Sequence, residues 1–159
     1  AAHLEGALAD RDAWKATRCT LAKAIDVVGT KSALLLMREA FYGTRRFDAF
    51  ARRVGITEAV AAARLRELVD AGLLARQPYQ EPGQRTRDEY ILTDMGRDLL
   101  PVALSLMHWG DKYLTGSRGA PLSMTHTECG APITVDVRCT DDHHVSLDEL
   151  TVKVAPKRS

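Results

Sequence analysis

Two short amphipathic stretches meet at a two-residue break, and this feature constrains the fold of the 159-residue chain more than any other. Phe47, Phe50, Ala51 and Val54 recur at i, i+3, i+4 and i+7, the spacing that lines one face of an α-helix, and Gly55 stops the run. Only Gly55 and Ile56 separate it from Thr57, an N-cap residue type, with Glu58 in the first turn where the helix dipole favours an acid. The next helix turns Ala61, Leu65, Leu68 and Val69 inward, runs to Ala71 and stops at Gly72. Two short helices joined by a tight glycine turn make a helix-turn-helix.

What flanks the motif narrows the fold further. Upstream, Leu21, Ile25 and Val28 define a helical face that ends at Gly29. A second helix is predicted from Lys31 to Phe41, with Leu34, Leu35, Met37 and Phe41 on its buried side. Downstream the period changes. Leu73–Tyr79 and Glu89–Thr93 have the length and composition of strands, and the Pro82-Gly83 pair between them is a strong turn signal. A hairpin with a basic tip is the expected result. Thr93 then caps a long helix through Leu99, Ala103, Leu106, Trp109 and Tyr113, which Pro101 should kink unless the helix begins later. The opening stretch from Leu4 through Leu8 to Trp14 has loose helical spacing and needs a partner to cover its apolar residues.

The expected fold class is therefore mainly α with a small β-hairpin wing: a winged helix-turn-helix with a small C-terminal extension. In that extension, Pro132–Arg138 and Val145–Val154 are expected to form a small strand pair. The divisions are residues 1–17 (an N-terminal helix), 18–92 (the winged motif), 93–116 (a long helix) and 117–159 (the extension).

Charge distribution bears on the partner. The net charge is only +1, yet Arg38–Arg87 carries ten Lys/Arg against six Asp/Glu, and Asp88–Ser159 seven against eleven. A basic middle matters more to a polyanion than the total does. The helix after the turn can enter a DNA major groove, which admits one helix. Gln84, Arg85 and Arg87 on the hairpin suit phosphate contacts, and Arg45 and Arg46 precede the first helix of the motif where another would be useful. On the recognition helix Thr57, Glu58, Ala59, Ala62, Ala63, Arg64 and Arg66 are the candidate contacts. Its alanines can touch thymine methyl groups but cannot hydrogen-bond to bases. Binding dominated by arginine, and hence salt-sensitive, is the expectation. No phosphate loop, nucleophile elbow or His-Glu-x-x-His pattern is present, so neither catalysis nor a cofactor is expected. No apolar run approaches the roughly 18 residues of a membrane span. The chain shows no signal-like segment and is expected to be cytoplasmic.

Taken in order, Cys19, Ile25–Lys31, Gly43–Phe50, Arg64–Leu68, Ala71–Arg76, Glu89–Thr93 with Gly96, and Trp109-Gly110 resemble the HxlR-type family of winged-helix transcriptional regulators, relatives of the MarR group. The resemblance implies a homodimer that binds a pseudo-palindromic operator; a repressor is expected, since the sequence shows no separate activation or ligand domain. It implies that the N-terminal segment (Leu4, Leu8, Trp14) and the long helix (Leu99, Ala103, Leu106, Trp109, Tyr113) form the subunit interface. It also suggests a sensor role for Cys19, since a helix N-terminus and Arg18 would both favour its thiolate; the alternative is a small buried hydrophobe. The sequence departs from the family pattern at Ser32, where Trp is usual, and at Thr20, where Pro is usual. A winged-helix module that binds protein instead of DNA is the alternative from another class. In the tail, His126, Cys129, Cys139 and His143 have a spacing that could hold zinc, but Asp142 stands where a degenerate zinc ribbon would place its second cysteine. Filler among short strands is the preferred reading there, with no metal.

Overall fold

A glycine decides the geometry at the centre of the motif. In the computed structural model, which describes residues 1–158, helix α3 (Phe47–Val54) ends at Gly55 in the left-handed conformation, φ 75°. There the N–H groups of Gly55 and Ile56 both return to the Ala51 carbonyl. This closes the helix and turns the chain in the fewest residues. Thr57 then caps α4 (Glu58–Asp70), its hydroxyl accepting from the Val60 N–H at 3.2 Å.

The chain divides into two units. The larger, Thr20–Pro121, holds α1 (Thr20–Val28), α2 (Lys31–Phe41), α3 and α4. These are followed by strands β2 (Leu74–Tyr79) and β3 (Arg87–Leu92), then α5 (Asp94–Arg97) and α6 (Leu100–Tyr113). The strands pair antiparallel with Leu74 opposite Leu92 and Tyr79 opposite Arg87. This is a winged helix-turn-helix. Its core is built where α2, α3, α4 and the start of β2 converge, with Leu36, Met37, Phe50, Leu65, Leu68 and Leu74 almost wholly buried. Each such side chain contributes about 2 kcal/mol relative to exposure. The face of α4 predicted from periodicity is the buried one at Ala61, Leu65 and Leu68. On α2 the buried stripe is instead Ala33, Leu36, Met37 and Ala40, with Leu34 and Phe41 at its edge.

Expectations need correction in both units. Thr93 caps only the four-residue α5; the chain breaks at Asp98–Leu99 and α6 starts afresh. Pro101 thus sits in the first turn of α6, where its missing N–H costs nothing, and no kink arises. Of the helical face of α1, Leu21 and Ile25 are 68% and 55% exposed, and only Val28 is buried.

The smaller unit joins Ala1–Cys19 to the chain from Leu122 onward. The N-terminal helix expected between Leu4 and Trp14 does not form. His3–Leu4 is a strand, β1, and Gly6–Ala9 a single 3₁₀ turn. The tail does carry a small strand pair, but with other partners: Thr151–Val152 (β4) runs parallel to β1. Between Pro132–Arg138 and Val145–Val154 the contact is confined to Val145 N–H to the Val137 carbonyl at 3.0 Å, beside the isolated bridge Arg138–His144. Leu8, expected at a subunit interface, is 6% exposed and packs within the chain. Trp14 is half-buried under the Arg11 guanidinium.

Candidate nucleic-acid interface

Helix α4 presents Glu58, Ala59, Val60, Ala63 and Arg66 outward, with Ala62 half-buried beside them. Val60 was not anticipated. It falls three residues after the N-cap on the exposed side, and its two methyl groups can pack against a thymine methyl as alanine does. Thr57 is exposed, but its hydroxyl is occupied in capping the helix.

The wing is fixed at both ends. At its tip Pro82 and Gly83 (φ 75°) occupy the central positions of a turn closed by Gln84 N–H to the Glu81 carbonyl at 3.0 Å. A type II turn calls for these residues at these places. Arg46 lies 3.5 Å above the Tyr79 ring and pairs with Glu81 at 3.1 Å and Glu89 at 3.6 Å. Desolvation works against its charge, but the bonds to Glu81 and Tyr79 outweigh it and hold its pKa above the ordinary arginine value. Arg45 bonds Gln77 at 3.2 Å and Glu89 at 3.5 Å, and its carbonyl takes the Tyr90 N–H at 2.8 Å. The loop carrying both arginines is itself anchored by buried Glu39, which accepts from the Thr44 hydroxyl and from Arg38, while Arg53 donates to Thr44 at 2.7 Å. Glu39, Thr44 and Arg53 escaped the sequence reading because nothing in their spacing marks a buried polar network.

The arginines accordingly divide into two groups. Arg45, Arg46 and Arg64 are committed within the protein; Arg64 bonds Ser32 at 3.2 Å and Glu67 at 2.9 Å. Ser32 thereby gains a polar role in place of the packing a tryptophan would supply. Arg66, Arg85 and Arg87 are exposed and form no side-chain ion pair or hydrogen bond among the described residues. Exposed Arg76 on β2 belongs with them and was also not anticipated. Gln84 is exposed at the tip. Cys19 is half-buried immediately before α1.

In the smaller unit, His126 Nδ1 and Cys129 Sγ lie 3.2 Å apart, and the Arg138 guanidinium holds Asp136, Asp142 and His144. Among the described residues no three His, Cys, Asp or Glu side chains are grouped to hold a metal ion. No helix among them is long and apolar enough to cross a membrane.

The profile of the HxlR-like helix-turn-helix family matches residues 27–118, from the end of α1 to just beyond α6. The chain belongs to this family. HxlR-like proteins are helix-turn-helix transcriptional regulators, not enzymes. The HTH-type transcriptional regulator Rv3095 of Mycobacterium tuberculosis is 41% identical over 121 residues, covering 76% of this chain and 75% of its own. The crystal structure of PA1607, solved as a candidate transcription factor, superposes with a TM-score of 0.77 at 31% identity, over 87% of this chain and 96% of that one. The redox regulator HypR in its reduced form aligns with a TM-score of 0.54 at 32% identity, over 59% of this chain and 92% of its own. The HxlR-like motif thus accounts for the larger unit, and the wider coverage by PA1607 extends into the smaller one.

Proposed function

We propose that this HxlR-like regulator binds double-stranded DNA as a homodimer, in the cytoplasm, and represses transcription from a pseudo-palindromic operator. Each α4 lies in a major groove one helical turn from its symmetry mate, and each wing rests on the adjoining backbone. The observation that carries the reading is the set of uncommitted arginines, Arg66 on the recognition helix with Arg85 and Arg87 on the wing, beside a helix face otherwise made of Ala59, Val60 and Ala63. Phosphate neutralisation supplies most of the affinity, and methyl contacts with Arg66 supply the readout. The committed arginines Arg45, Arg46 and Arg64 hold the wing and helix in position.

The test is a gel-shift titration against the gene's own upstream DNA at several salt concentrations. An Arg85→Ala/Arg87→Ala variant should bind at least tenfold more weakly near 0.1 M salt. Its log–log salt slope should be shallower by about 3–4 in a dimer that loses two phosphate contacts per subunit. An unchanged affinity and slope would remove the wing from the interface. A wild-type slope near zero would favour a protein-binding winged helix instead.

Redox gating through Cys19 is a second reading. Its support is the position of Cys19 at the N-terminal end of α1, together with the likeness to HypR, which is described as a redox regulator. Hydrogen peroxide would convert the thiolate to a sulfenic acid and release hydroxide. Treated wild type should then lose DNA retention while Cys19→Ser keeps it. Equal responses would dismiss the sensor role.

A further inference from the structure

The tail holds a second group of reactive side chains, beyond residue 118, where the match to the family profile ends. His126 and Cys129 share one tight turn. Gly130, at φ 71°, closes it by donating its N–H to the His126 carbonyl at 2.8 Å, and the His126 N–H reaches the Ala131 carbonyl at 2.9 Å. Below the turn the Ile133 N–H bonds the Met124 carbonyl at 2.9 Å. The turn so fixed sets His126 Nδ1 3.2 Å from Cys129 Sγ, within hydrogen-bond reach of sulfur. Both side chains are exposed, as are Thr127, Glu128 and Gly130 around them. Cys139 offers a contrast in the same unit. It too is exposed and opens a tight turn, its N–H on the His143 carbonyl at 3.0 Å, but its Sγ has no hydrogen-bond partner among the described residues.

A thiol becomes a strong nucleophile on losing its proton. With its own proton on Nε2, His126 can take the Cys129 proton at Nδ1, and the two groups stand as a nucleophile and its base. What the pair can attack follows from its surroundings. Thr127, Glu128 and Gly130 offer no apolar wall, so an apolar electrophile gains nothing by settling there. A disulfide needs no such wall. Its departing sulfur leaves as a thiolate in need of a proton, and the imidazolium just formed carries one.

We propose that Cys129 is a thiol–disulfide exchange site for small soluble disulfides, with His126 as its base. Nδ1 takes the thiol proton, and Sγ bonds to one sulfur of the disulfide as the S–S bond breaks. The departing sulfur receives the proton from His126 and leaves as a free thiol. Cys129 is oxidised to a mixed disulfide and the departing sulfur is reduced, with the small disulfide as the only oxidant. The exchange depends neither on DNA nor on Cys19, and so stands apart from both readings above.

The experiment treats the reduced full chain with glutathione disulfide at one pH and follows each thiol by mass spectrometry of tryptic peptides. Cleavage after Arg138 puts Cys129 and Cys139 on separate peptides. Cys129 should form the mixed disulfide at least tenfold faster than Cys139, a modest share of what a positioned base commonly supplies. His126→Gln keeps the backbone bonds of the turn and a hydrogen-bonding side chain but removes the base. Checked for unchanged melting temperature, it should bring Cys129 to within about twofold of Cys139 and leave Cys139 as it was. Equal rates for the two cysteines in wild type would overturn the site. Undiminished exchange at Cys129 in His126→Gln would overturn the role of the imidazole, as would an equal slowing of both cysteines.

Discussion

Replacing Gly96 by alanine should destabilise the fold by about 3 kcal/mol, lowering the melting temperature by roughly 10 °C. Gly96 is buried in α5, and a Cβ placed on it would lie 2.1 Å from the Leu73 carbonyl oxygen and 3.2 Å from a Leu92 methyl carbon. The methyl could move aside; the carbonyl cannot do so cheaply. It accepts from the Thr93 N–H at 3.2 Å and the Thr93 hydroxyl at 3.1 Å, and Leu73 itself is held by its N–H to Leu68 at 3.0 Å. Thr93 in turn caps α5 by accepting from the Gly96 N–H at 3.1 Å. The first residues of the wing, its last residue and the helix after it are thus knotted around one missing side chain. Displacing Leu73 would disturb both the core and the base of the wing, so DNA affinity should fall with stability. Thermal and urea denaturation measure the effect. A variant melting within 1 °C of wild type would mean that the backbone does not make this close approach.

How far the sequence anticipated this structure depends on the range of the interactions that decide each part. The helix-turn-helix was legible because its determinants are local: apolar residues at helical spacing, Thr57 as a cap, and glycines at Gly55 and Gly72 where φ is 75° and 91°. The N-terminal segment was misread because Leu4, Leu8 and Trp14 are too sparse to line a helical face. What decided it was pairing with Thr151–Val152, nearly the whole chain away. The tail's strand partners were missed for the same reason. Pro101 predicts a kink in a helix from Thr93 unless that helix begins later, and only the structure decides for the later start. The candidate interface was legible in residue type and not in role. Arg45 and Arg46 look identical to Arg85 and Arg87 in sequence, and what separates them is a set of partners more than thirty residues distant, Gln77, Tyr79, Glu81 and Glu89. On α1 periodicity identified an apolar face at Leu21 and Ile25, but amphipathicity alone does not say what covers it.

That uncovered face leads to the second large effect. Helix α6 has fourteen residues and buries none of them, while Leu106, Trp109 and Tyr113 are 52%, 57% and 60% exposed. Leu21 and Ile25 of α1 in the same unit are equally uncovered. A soluble helix is held mainly by packing of its apolar face, and one this short is marginal without it. A second copy of the chain offers the same apolar helices, and a two-fold interface lets each copy cover the other. Leu106→Glu/Trp109→Glu should therefore convert a dimer into a monomer at micromolar concentration. Burial of a tryptophan at an interface centre is commonly worth at least about 2 kcal/mol, so the double change should weaken association well over 30-fold. Operator affinity should fall in parallel, because a monomer engages one half-site and forfeits the second set of contacts from Arg66, Arg85 and Arg87. Sedimentation velocity gives the oligomeric state, and a gel shift on full and half operators gives the consequence. Loss of preference for the full site should accompany loss of the dimer. A wild-type chain that sediments as a monomer would overturn the dimer, and a double variant that stays dimeric would place the subunit contact elsewhere; either would leave the exposed faces of α1 and α6 for another partner.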